Sequence, residues 1–229
     1  MNKTKNGKHI KIAPSMMCAD FLRLQDDLDL FEETGIDYLH VDIMDGHYVP
    51  NFTLGPGFCN VLSEYSKVPL DIHLMIENVD SYVPVFSAYP GCVVTFHPEA
   101  MYHPLRTLNF IRKHGARTGI AVDPALSLES VKHLLPVSEF ICMMTVNPGY
   151  SGQNIVPGAI EKITEFRDYF DAQGLSIEIE VDGNVSWENI PKMIQAGADT
   201  LVVGTSSVFE KGTDRQSQIL RLKKLIESL

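Results

Sequence analysis

The residues best suited to chemistry stand where short apolar segments of this chain end. In residues 40–44, which read HVDIM, alternation along a strand puts His40, Asp42 and Met44 on one face. Residues 71–75 read DIHLM and repeat the arrangement, again with a carboxylate, an imidazole and a methionine on a common face. The two segment ends therefore indicate one site built from neighbouring strands.

A third segment end adds another carboxylate. Residues 178–183 read EIEVDG, with Asp182 at the predicted junction between strand and loop. Two histidines and two aspartates, which converge from three strand ends, suit a divalent metal ion: His40, Asp42, His73 and Asp182. The donor set does not select among Zn²⁺, Fe²⁺, Mn²⁺ and Co²⁺, because metal supply decides more than these residue types. Three methionines would surround the proposed metal with polarisable side chains that do not ionise: Met44, Met75 and Met144.

Three glycine-containing loops predict a phosphate-binding region. Barrel enzymes commonly hold phosphate with the loops after strands 7 and 8, where this chain has Gly183-Asn184 and Gly204-Thr205-Ser206. Glycine lets backbone N–H groups approach anionic oxygens, and the two hydroxyls add donors. We expect a third loop, residues 149–152, to close over a ligand.

These side chains need a scaffold that brings several strand ends to one edge. Short apolar segments alternate with helix-period segments about eight times, which is typical of a parallel sheet closed into a barrel of the α/β class. The predicted strands are residues 10–14, 38–43, 70–74, 92–96, 118–122, 140–146, 177–181 and 200–203. The predicted helices are residues 20–34, 57–65, 79–88, 104–114, 127–135, 157–173, 186–196 and 216–229. A doubly wound open sheet is the alternative, although no G-x-G-x-x-G follows the first strand.

Helix boundary signals agree with these segments. Asp20 is predicted to cap the first helix and Gly35 to end it. Ser186 and Gly197 are predicted to flank the seventh helix in the same way.

Composition restricts the classes of partner. Of the 229 residues, 45% are hydrophobic, which excludes a disordered chain, and the length suits one barrel of roughly 200–250 residues. Nineteen basic and 29 acidic residues give a formal charge of −10, which argues against nucleic acid because that partner needs a basic surface. A single phosphate group stays compatible, since a few backbone N–H groups can hold it. No apolar run approaches the ~20 residues that cross a bilayer, so we expect no membrane partner.

The chain start and the cysteines indicate the domain organisation and the compartment. We expect the polar, lysine-rich residues 1–9 to form a flexible N-terminal tail and residues 10–229 to form a single catalytic domain. No apolar segment of signal-peptide length follows the first residues. Four cysteines without a C-x-x-C pair lie among apolar neighbours, which predicts reduced thiols in a cytoplasmic protein: Cys18, Cys59, Cys92 and Cys142.

Longer motifs resemble one family. The ribulose-phosphate 3-epimerase family has close counterparts, in the same order, of residues 13–15 (APS), 40–51 (HVDIMDGHYVPN), 73–75 (HLM), 144–149 (MTVNPG), 152–153 (GQ), 180–183 (EVDG) and 204–206 (GTS). The resemblance runs from about residue 12 to residue 209. It implies a single (β/α)8 TIM barrel of the ribulose-phosphate-binding type. It also implies inversion of the C3 centre of a ketose phosphate with the help of one divalent metal ion.

The resemblance further implies a role for each motif. The metal ligands would be His40, Asp42, His73 and Asp182. With ribulose phosphate as substrate, Asp42 would accept the C3 proton and Asp182 would donate one to the opposite face. Ser15 would contact the substrate hydroxyls. The implied substrate-binding residues are Ser15, Met44, His73, Met75, Met144, Asn147, Gly149, Tyr150, Ser151, Gly152, Gly183, Asn184, Gly204, Thr205 and Ser206.

The chain departs from the commonest epimerases of this family at a few positions. Asn184 stands where those enzymes usually have glycine, and Thr205-Ser206 replaces Ser-Ala or Asn-Ser. Cys18 and Thr145 are reminiscent of a sister group that acts on D-allulose 6-phosphate. The main expectation is therefore interconversion of D-ribulose 5-phosphate and D-xylulose 5-phosphate. The alternative is conversion of D-allulose 6-phosphate to D-fructose 6-phosphate.

Two other classes of function stay open. A metal-free phosphosugar lyase or decarboxylase would place a catalytic lysine on a strand, and none of the predicted strand ends carries one. A non-catalytic phosphosugar-binding barrel would have no need of the acid–base pair. His97, at the end of the fourth predicted strand, has no ligand role in the resemblance, although it is expected to face the site.

The family resemblance also implies a homo-oligomer, either a dimer or a hexamer. Residues 46–57, together with Phe58, carry more apolar surface than a solvated loop should. We expect this segment to pack on the barrel mouth or on a neighbouring copy of the chain.

Overall fold

The computed structural model describes residues 2–229, and its centre is a sheet of eight parallel strands. They are β1 (Lys11–Pro14), β2 (Leu39–Met44), β3 (Leu70–Met75), β4 (Val93–Phe96), β5 (Arg117–Val122), β6 (Phe140–Met144), β7 (Glu178–Asp182) and β8 (Thr200–Val203). Their order is β1-β8-β7-β6-β5-β4-β3-β2, and a parallel bridge between Ser15 and His40 brings the two outer strands together. The predicted barrel is confirmed, and the open sheet is not the arrangement.

Eight α-helices surround the strands within residues 2–229. They are α1 (Leu24–Thr34), α2 (Pro56–Tyr65), α3 (Val79–Phe86), α4 (Pro104–Lys113), α5 (Leu128–Val131), α6 (Ala159–Gln173), α7 (Asn189–Ala196) and α8 (Arg215–Glu227). Gly35 and Gly197, at φ of +63° and +119°, end α1 and α7 as predicted. Asp20 accepts a hydrogen bond from the Leu22 N–H at 3.1 Å, but it caps a 3₁₀ turn that precedes α1.

Helix α5 is shorter than the predicted segment. Ser127 caps it by accepting a bond from the Ser130 N–H, as the predicted start requires. The helix ends at Val131, and a separate 3₁₀ turn covers Leu135–Val137. Pro136 is unfavourable for a helix continued to Leu135, because it has no N–H to donate to the Lys132 carbonyl and its ring would clash with that carbonyl.

Strands β2 and β3 are buried along their whole length. Most of that length is apolar and packs into the core between the sheet and the helices. Four ionisable side chains nevertheless lie in these two strands, and each is at most 5% exposed: His40, Asp42, Asp71 and His73. Burying such groups is unfavourable unless they pair with one another, so their contacts determine what the carboxyl end of the barrel can do.

A polar cluster occupies the opposite, amino end of the barrel. Glu178 at the start of β7 accepts hydrogen bonds from Lys11 Nζ at 2.7 Å and from Arg117 Nη2 at 3.2 Å. Tyr38 Oη accepts from the same two cations at 3.0 and 2.7 Å. The Thr200 hydroxyl donates to the other oxygen of Glu178 at 2.5 Å. Four strands and one loop are thereby joined by a single carboxylate and a single phenol.

The stretch predicted as a flexible tail makes specific contacts. Asn2 is 3% exposed, and its carbonyl accepts a hydrogen bond from the Ile10 N–H at 2.8 Å. Lys3 and His9 pair with each other in an antiparallel β-bridge. Lys8 Nζ lies 2.8 Å from Asp199 Oδ1, and His9 Nε2 lies 2.9 Å from Asp37 Oδ1. Residues 2–10 thus fold back on themselves. Their contacts with Asp37 and Asp199, which are distant in the sequence, hold them against the barrel.

Within the described residues, no helix combines the length and the apolar character that a membrane span requires. The four cysteines carry no disulfide, and three of them, Cys59, Cys92 and Cys142, are buried.

Replacing the carboxylate of the amino-end cluster should destabilise the barrel. Glu178→Gln leaves Lys11 and Arg117 without their counter-charge, and we expect a loss of about 2 kcal/mol in the free energy of unfolding. The loss is smaller than for a fully buried pair because the two cations are 30% and 33% exposed. Urea unfolding measures it. The control is Glu188→Gln, whose partner Lys192 is half exposed, and which should leave the unfolding midpoint unchanged. Equal midpoints for the two variants would contradict the role of the cluster.

Candidate active site

Four side chains from the carboxyl ends of β2, β3 and β7 converge on one point. One ligand atom each from His40, Asp42, His73 and Asp182 lies within 4.8 Å of the other three. Asp42 Oδ1 is 3.2 Å from both His40 Nε2 and His73 Nδ1, and Asp182 Oδ2 is 3.8 Å from the same two nitrogens. The parallel register explains the convergence, since Asp42 and His73 are directly paired across β2 and β3.

The spacing and chemistry of these donors fit a divalent metal ion. Ligands about 2.1 Å from a tetrahedral metal lie about 3.4 Å from one another, and the observed separations of 3.2–3.8 Å bracket that value. Imidazole nitrogens with carboxylate oxygens suit zinc and the neighbouring transition metals. The group could therefore hold one such ion through these four side chains.

A second pair of carboxyl groups lies on the other side of His40. His40 Nδ1 is 2.5 Å from Asp71 Oδ2 and 3.6 Å from Glu180 Oε1. The short contact makes Nδ1 the donor to Asp71 and leaves Nε2 directed at Asp42 and Asp182. Burial raises the pKa of Glu180 well above its usual value, and the Asp71 carboxylate adds to the effect. Glu180 therefore favours the protonated form.

The two carboxyl groups at the centre of the site have pKa values shifted in opposite directions. Burial would raise the pKa of Asp42, but its contacts with His40 and His73 outweigh burial and hold that pKa well below the usual range. Burial raises the pKa of Asp182, and the charge of the neighbouring Asp42 raises it further. Asp42 thus favours the ionised form and Asp182 the protonated form.

A cleft of about 620 Å³, including its open mouth, lies directly above these carboxyl groups. Of the residues predicted from the sequence to form the site, the following line this cleft: Ser15, Asp42, Met44, Met75, Met144, Asn147, Gly149, Tyr150, Ser151, Gly152, Asp182, Gly183, Asn184, Gly204, Thr205 and Ser206. His40 and His73, the two histidines among the four converging side chains, are 0% exposed. Ser15 Oγ donates to Asp42 Oδ2 at 3.2 Å, so its hydroxyl lies at the carboxyl group whose pKa is lowered.

The loop after β6 is tied to the loop after β7. Gln153 Nε2 donates to the carbonyls of Asn147 and Tyr150 at 2.7 and 2.9 Å, which closes residues 147–153 into a compact turn. Asn184 Nδ2 donates to the Gln153 carbonyl at 2.6 Å. Asn184 has φ +43°, a left-handed conformation that asparagine tolerates better than most residues. A non-glycine residue therefore fits at position 184 and joins the two loops.

The loop after β2 covers the mouth of the barrel. Val49 is buried with Met44 and Met75, and Asn51 Nδ2 donates to the Gly149 carbonyl at 2.9 Å. Tyr150 Oη donates to the Pro50 carbonyl at 3.1 Å. The predicted packing of this segment on the barrel mouth is thus observed, although Phe52 remains 76% exposed.

His97 contacts one of the four converging side chains directly. Its Nε2 lies 3.0 Å from His73 Nε2, and its Nδ1 lies 3.2 Å from Glu99 Oε1. The same Glu99 oxygen accepts a hydrogen bond from Tyr48 Oη at 2.8 Å. The sequence placed His97 near the site, but it carried no signal for the contact with His73, because the two residues lie on different strands.

Other cleft residues were not predicted as part of the site. Seven of them line the cleft beside the predicted set: Met17, Cys18, Val146, Pro148, Gln153, Val185 and Val202. Gln153 had a signal, because it directly follows the glycine loop. Cys18 is brought in by a 3₁₀ turn after β1, and its Sγ is 3.5 Å from where a Cβ on Gly204 would lie.

Known proteins are similar in sequence to this chain over most of its length. A sequence model of the family described as "Ribulose-phosphate 3 epimerase family" matches residues 11–209. "Ribulose-phosphate 3-epimerase" from Escherichia coli (strain K12) is 41% identical over 205 residues, which cover 89% of this chain and 91% of that protein. "Ribulose-phosphate 3-epimerase 1" from Cupriavidus necator is 41% identical over 204 residues, covering 87% and 84%.

Solved structures share the fold at lower sequence identity. A mutant tryptophan synthase alpha-subunit from Pyrococcus furiosus superposes with a TM-score of 0.65 and is 15% identical, and the match covers 96% of each chain. This similarity concerns the barrel alone.

Gly183 should not tolerate a side chain. It has φ +110°, and a Cβ there would lie 2.6 Å from Val146 Cγ2 and 3.0 Å from the Val146 backbone nitrogen. We expect Gly183→Ala to lower the free energy of unfolding by about 2–3 kcal/mol, from the left-handed backbone and the collision together. Urea unfolding measures the loss.

A matched control separates the two causes. Gly212 also has positive φ, at +78°, but its Cβ would meet nothing within 4 Å. Gly212→Ala should therefore cost only the backbone part, about 1 kcal/mol. If both variants lost the same amount, the contact with Val146 would not constrain position 183.

Proposed function

The chain belongs to the ribulose-phosphate 3-epimerase family, and from this premise we propose that it is a metal-dependent epimerase that interconverts D-ribulose 5-phosphate and D-xylulose 5-phosphate. The protein is an isomerase that acts on phosphosugars. The observation that carries the proposal is the pair of carboxyl groups with opposite pKa shifts, Asp42 and Asp182, set between two histidines at the floor of the cleft.

The proposed reaction requires a base and an acid on opposite faces of C3. A C–H bond beside a ketone is weakly acidic, and its proton moves only to a base held within reach. Asp42, ionised and touched by the Ser15 hydroxyl, accepts the proton from D-ribulose 5-phosphate. Asp182, whose pKa is raised, returns a proton to the other face and so inverts the centre.

A divalent ion, when bound, polarises the ketone and stabilises the negative charge of the enediolate. His40, Asp42, His73 and Asp182 would hold it, and Zn²⁺, Fe²⁺, Mn²⁺ and Co²⁺ all suit these donors. Asp71 orients His40 for this role through the Nδ1 contact at 2.5 Å. Met44, Met75 and Met144 line the cleft beside the carboxyl groups and exclude water without adding charge.

The phosphate group of the substrate is proposed to lie between the loops after β6, β7 and β8. Backbone N–H groups at glycine turns and the hydroxyls of Thr205 and Ser206 are suitable donors there. The residues proposed to surround the sugar phosphate are Ser15, His73, Asn147, Gly149, Tyr150, Ser151, Gly152, Gly183, Asn184, Gly204, Thr205 and Ser206.

A hexulose phosphate is the second candidate substrate. Four of the positions that set this chain apart from the commonest epimerases line the same cleft, namely Cys18, Asn184, Thr205 and Ser206, whereas Thr145 does not. These side chains therefore lie where they can affect the length of sugar that is accepted. The proposed alternative reaction is D-allulose 6-phosphate to D-fructose 6-phosphate, with the same acid–base pair.

We also propose a cytoplasmic homo-oligomer, either a dimer or a hexamer. Unpaired cysteines are consistent with a reducing compartment. Exposed apolar side chains next to the barrel mouth support association of copies, with Phe21 at 55%, Leu22 at 96% and Phe52 at 76% exposure.

Removing either carboxyl group should strongly slow epimerisation but leave C3 proton exchange in one of the two sugars. Asp182→Asn can still lose the C3 proton of D-ribulose 5-phosphate to Asp42, so deuterium from heavy water enters that sugar without forming D-xylulose 5-phosphate. Asp42→Asn should exchange only D-xylulose 5-phosphate. Epimerisation falls by about 10²–10⁴-fold in both, as expected for loss of a general acid or base. Proton NMR of both sugars in deuterated buffer measures exchange and inversion together.

The control for these variants is Asp168→Asn, on the exposed face of α6, which should behave like the unmodified protein. Metal content is measured for each variant, so that loss of metal is separated from loss of a proton carrier. Epimerisation within tenfold of the unmodified rate in either variant would contradict the proposed roles.

The two sugars can be compared directly. One metal-reconstituted preparation should convert D-ribulose 5-phosphate with a kcat/KM at least tenfold above that for D-allulose 6-phosphate. Such a preference corresponds to about 1.4 kcal/mol in the transition state, so both rates must be measured. The reverse preference would assign the protein to hexulose phosphate and leave the acid–base chemistry in place.

A further inference from the structure

The contact between His73 and His97 restricts where the protons of both rings lie. Their Nε2 atoms are 3.0 Å apart, and both rings are 0% exposed. Two buried ring nitrogens at this distance share one proton, because two lone pairs or two protons would repel each other. One ring therefore donates and the other accepts.

Glu99 decides which of the two donates. Its Oε1 lies 3.2 Å from His97 Nδ1 and accepts the Tyr48 hydroxyl at 2.8 Å. A carboxylate oxygen in this position requires a proton on His97 Nδ1. The neutral His97 ring then has its lone pair on Nε2, and the shared proton belongs to His73 Nε2.

The remaining nitrogen of His73 points at the carboxyl groups. His73 Nδ1 lies 3.2 Å from Asp42 Oδ1 and 3.8 Å from Asp182 Oδ2. His40 uses its two nitrogens the other way round, with Nδ1 on Asp71 and Nε2 on the same carboxyl groups. The two histidines thus approach the centre through different ring atoms, each held by a partner on its far side.

We propose that His97 and Glu99, with Tyr48, are positioning residues that fix His73 as the tautomer protonated at Nε2, so that Nδ1 is its metal-binding nitrogen. The proposal rests on the metal dependence proposed above but on no step of the sugar chemistry. The chain of contacts runs from the loop after β2 through Tyr48 and Glu99 to His97 and His73. Tyr48 also stacks on His97, with ring centroids 4.7 Å apart, which holds the imidazole plane in place.

Nitrogen NMR on the unmodified protein tests the tautomer without any substitution. Histidine labelled with ¹⁵N gives long-range ¹H–¹⁵N correlations that separate protonated from unprotonated ring nitrogens. His73 is identified by the signal set that disappears in His73→Asn. With zinc bound, we expect a protonated Nε2 and an unprotonated Nδ1 shifted by the metal. A protonated Nδ1 with zinc on Nε2 would overturn the proposal.

Zinc affinity, measured by competition with a chelating dye, tests the positioning role. His97→Phe keeps a ring against Tyr48 but removes the acceptor, and we expect zinc to bind about 10–100-fold more weakly. His97→Gln restores an acceptor oxygen near the position of Nε2 and should recover most of that loss. Zinc affinity in His97→Phe equal to that of the unmodified protein would contradict the role.

A milder pair of variants provides the control. Tyr48→Phe and Tyr65→Phe each remove one phenol that donates to a carboxylate, to Glu99 at 2.8 Å and to Asp29 at 2.7 Å. Only the Tyr48 variant should weaken zinc binding, by a few-fold. If His97→Phe does not fold, as judged by circular dichroism, this pair and the NMR measurement decide the question. Tight zinc binding without epimerisation would count against the proposed function and leave the positioning role standing.

Discussion

Removal of several ionisable groups from water is the constraint on which the rest of this structure depends. His40, Asp42, Asp71 and His73 lie in two adjacent buried strands, and Glu180 and Asp182 face them from a third. Isolated charges in such a place would be expelled or neutralised. Here each imidazole lies between carboxyl groups or beside another imidazole, and burial with the neighbouring Asp71 raises the pKa of Glu180. Contacts with His40 and His73 hold the pKa of Asp42 below its usual range, while burial and the charge of Asp42 raise the pKa of Asp182.

The loops above the site depend on the strands for position and on one another for shape. Asn184 joins the loop after β7 to the loop after β6, and Asn51 joins the latter to the loop after β2. Tyr48 connects the loop after β2 to His97 on the wall of the site. The two asparagine bonds join an amide side chain to a backbone carbonyl, so the shape of the loops over the cleft depends on backbone geometry as well as on side-chain identity.

Much of the fold could be predicted from the sequence, because strand alternation and helix boundaries are local. Every observed strand boundary lies within two residues of its prediction, and the faces carrying His40 and Asp42 were assigned correctly. The predicted helix boundaries were wrong where 3₁₀ turns replace α-helix, as in the turn before α1 and after the early end of α5. The packing of residues 2–10 against the barrel had no local signal, since Lys8 and His9 contact Asp199 and Asp37, which are distant in the sequence. Cleft residues such as Cys18 were likewise not predicted, because a 3₁₀ turn after β1 places Cys18 there and composition does not reveal such a turn.

The polar cluster at the amino end of the barrel has a consequence for how this protein can change. Glu178 and Asp182 belong to one strand, four residues and about 13 Å apart. Lys11 and Arg117 neutralise the first, so its charge adds little to the field around the second. Substitutions more than about 10 Å apart with no shared partners usually have additive effects. Selection for another sugar can therefore alter positions such as Asn184 and Thr205 independently of the residues that close the other end, and laboratory evolution can treat the two ends as separate targets.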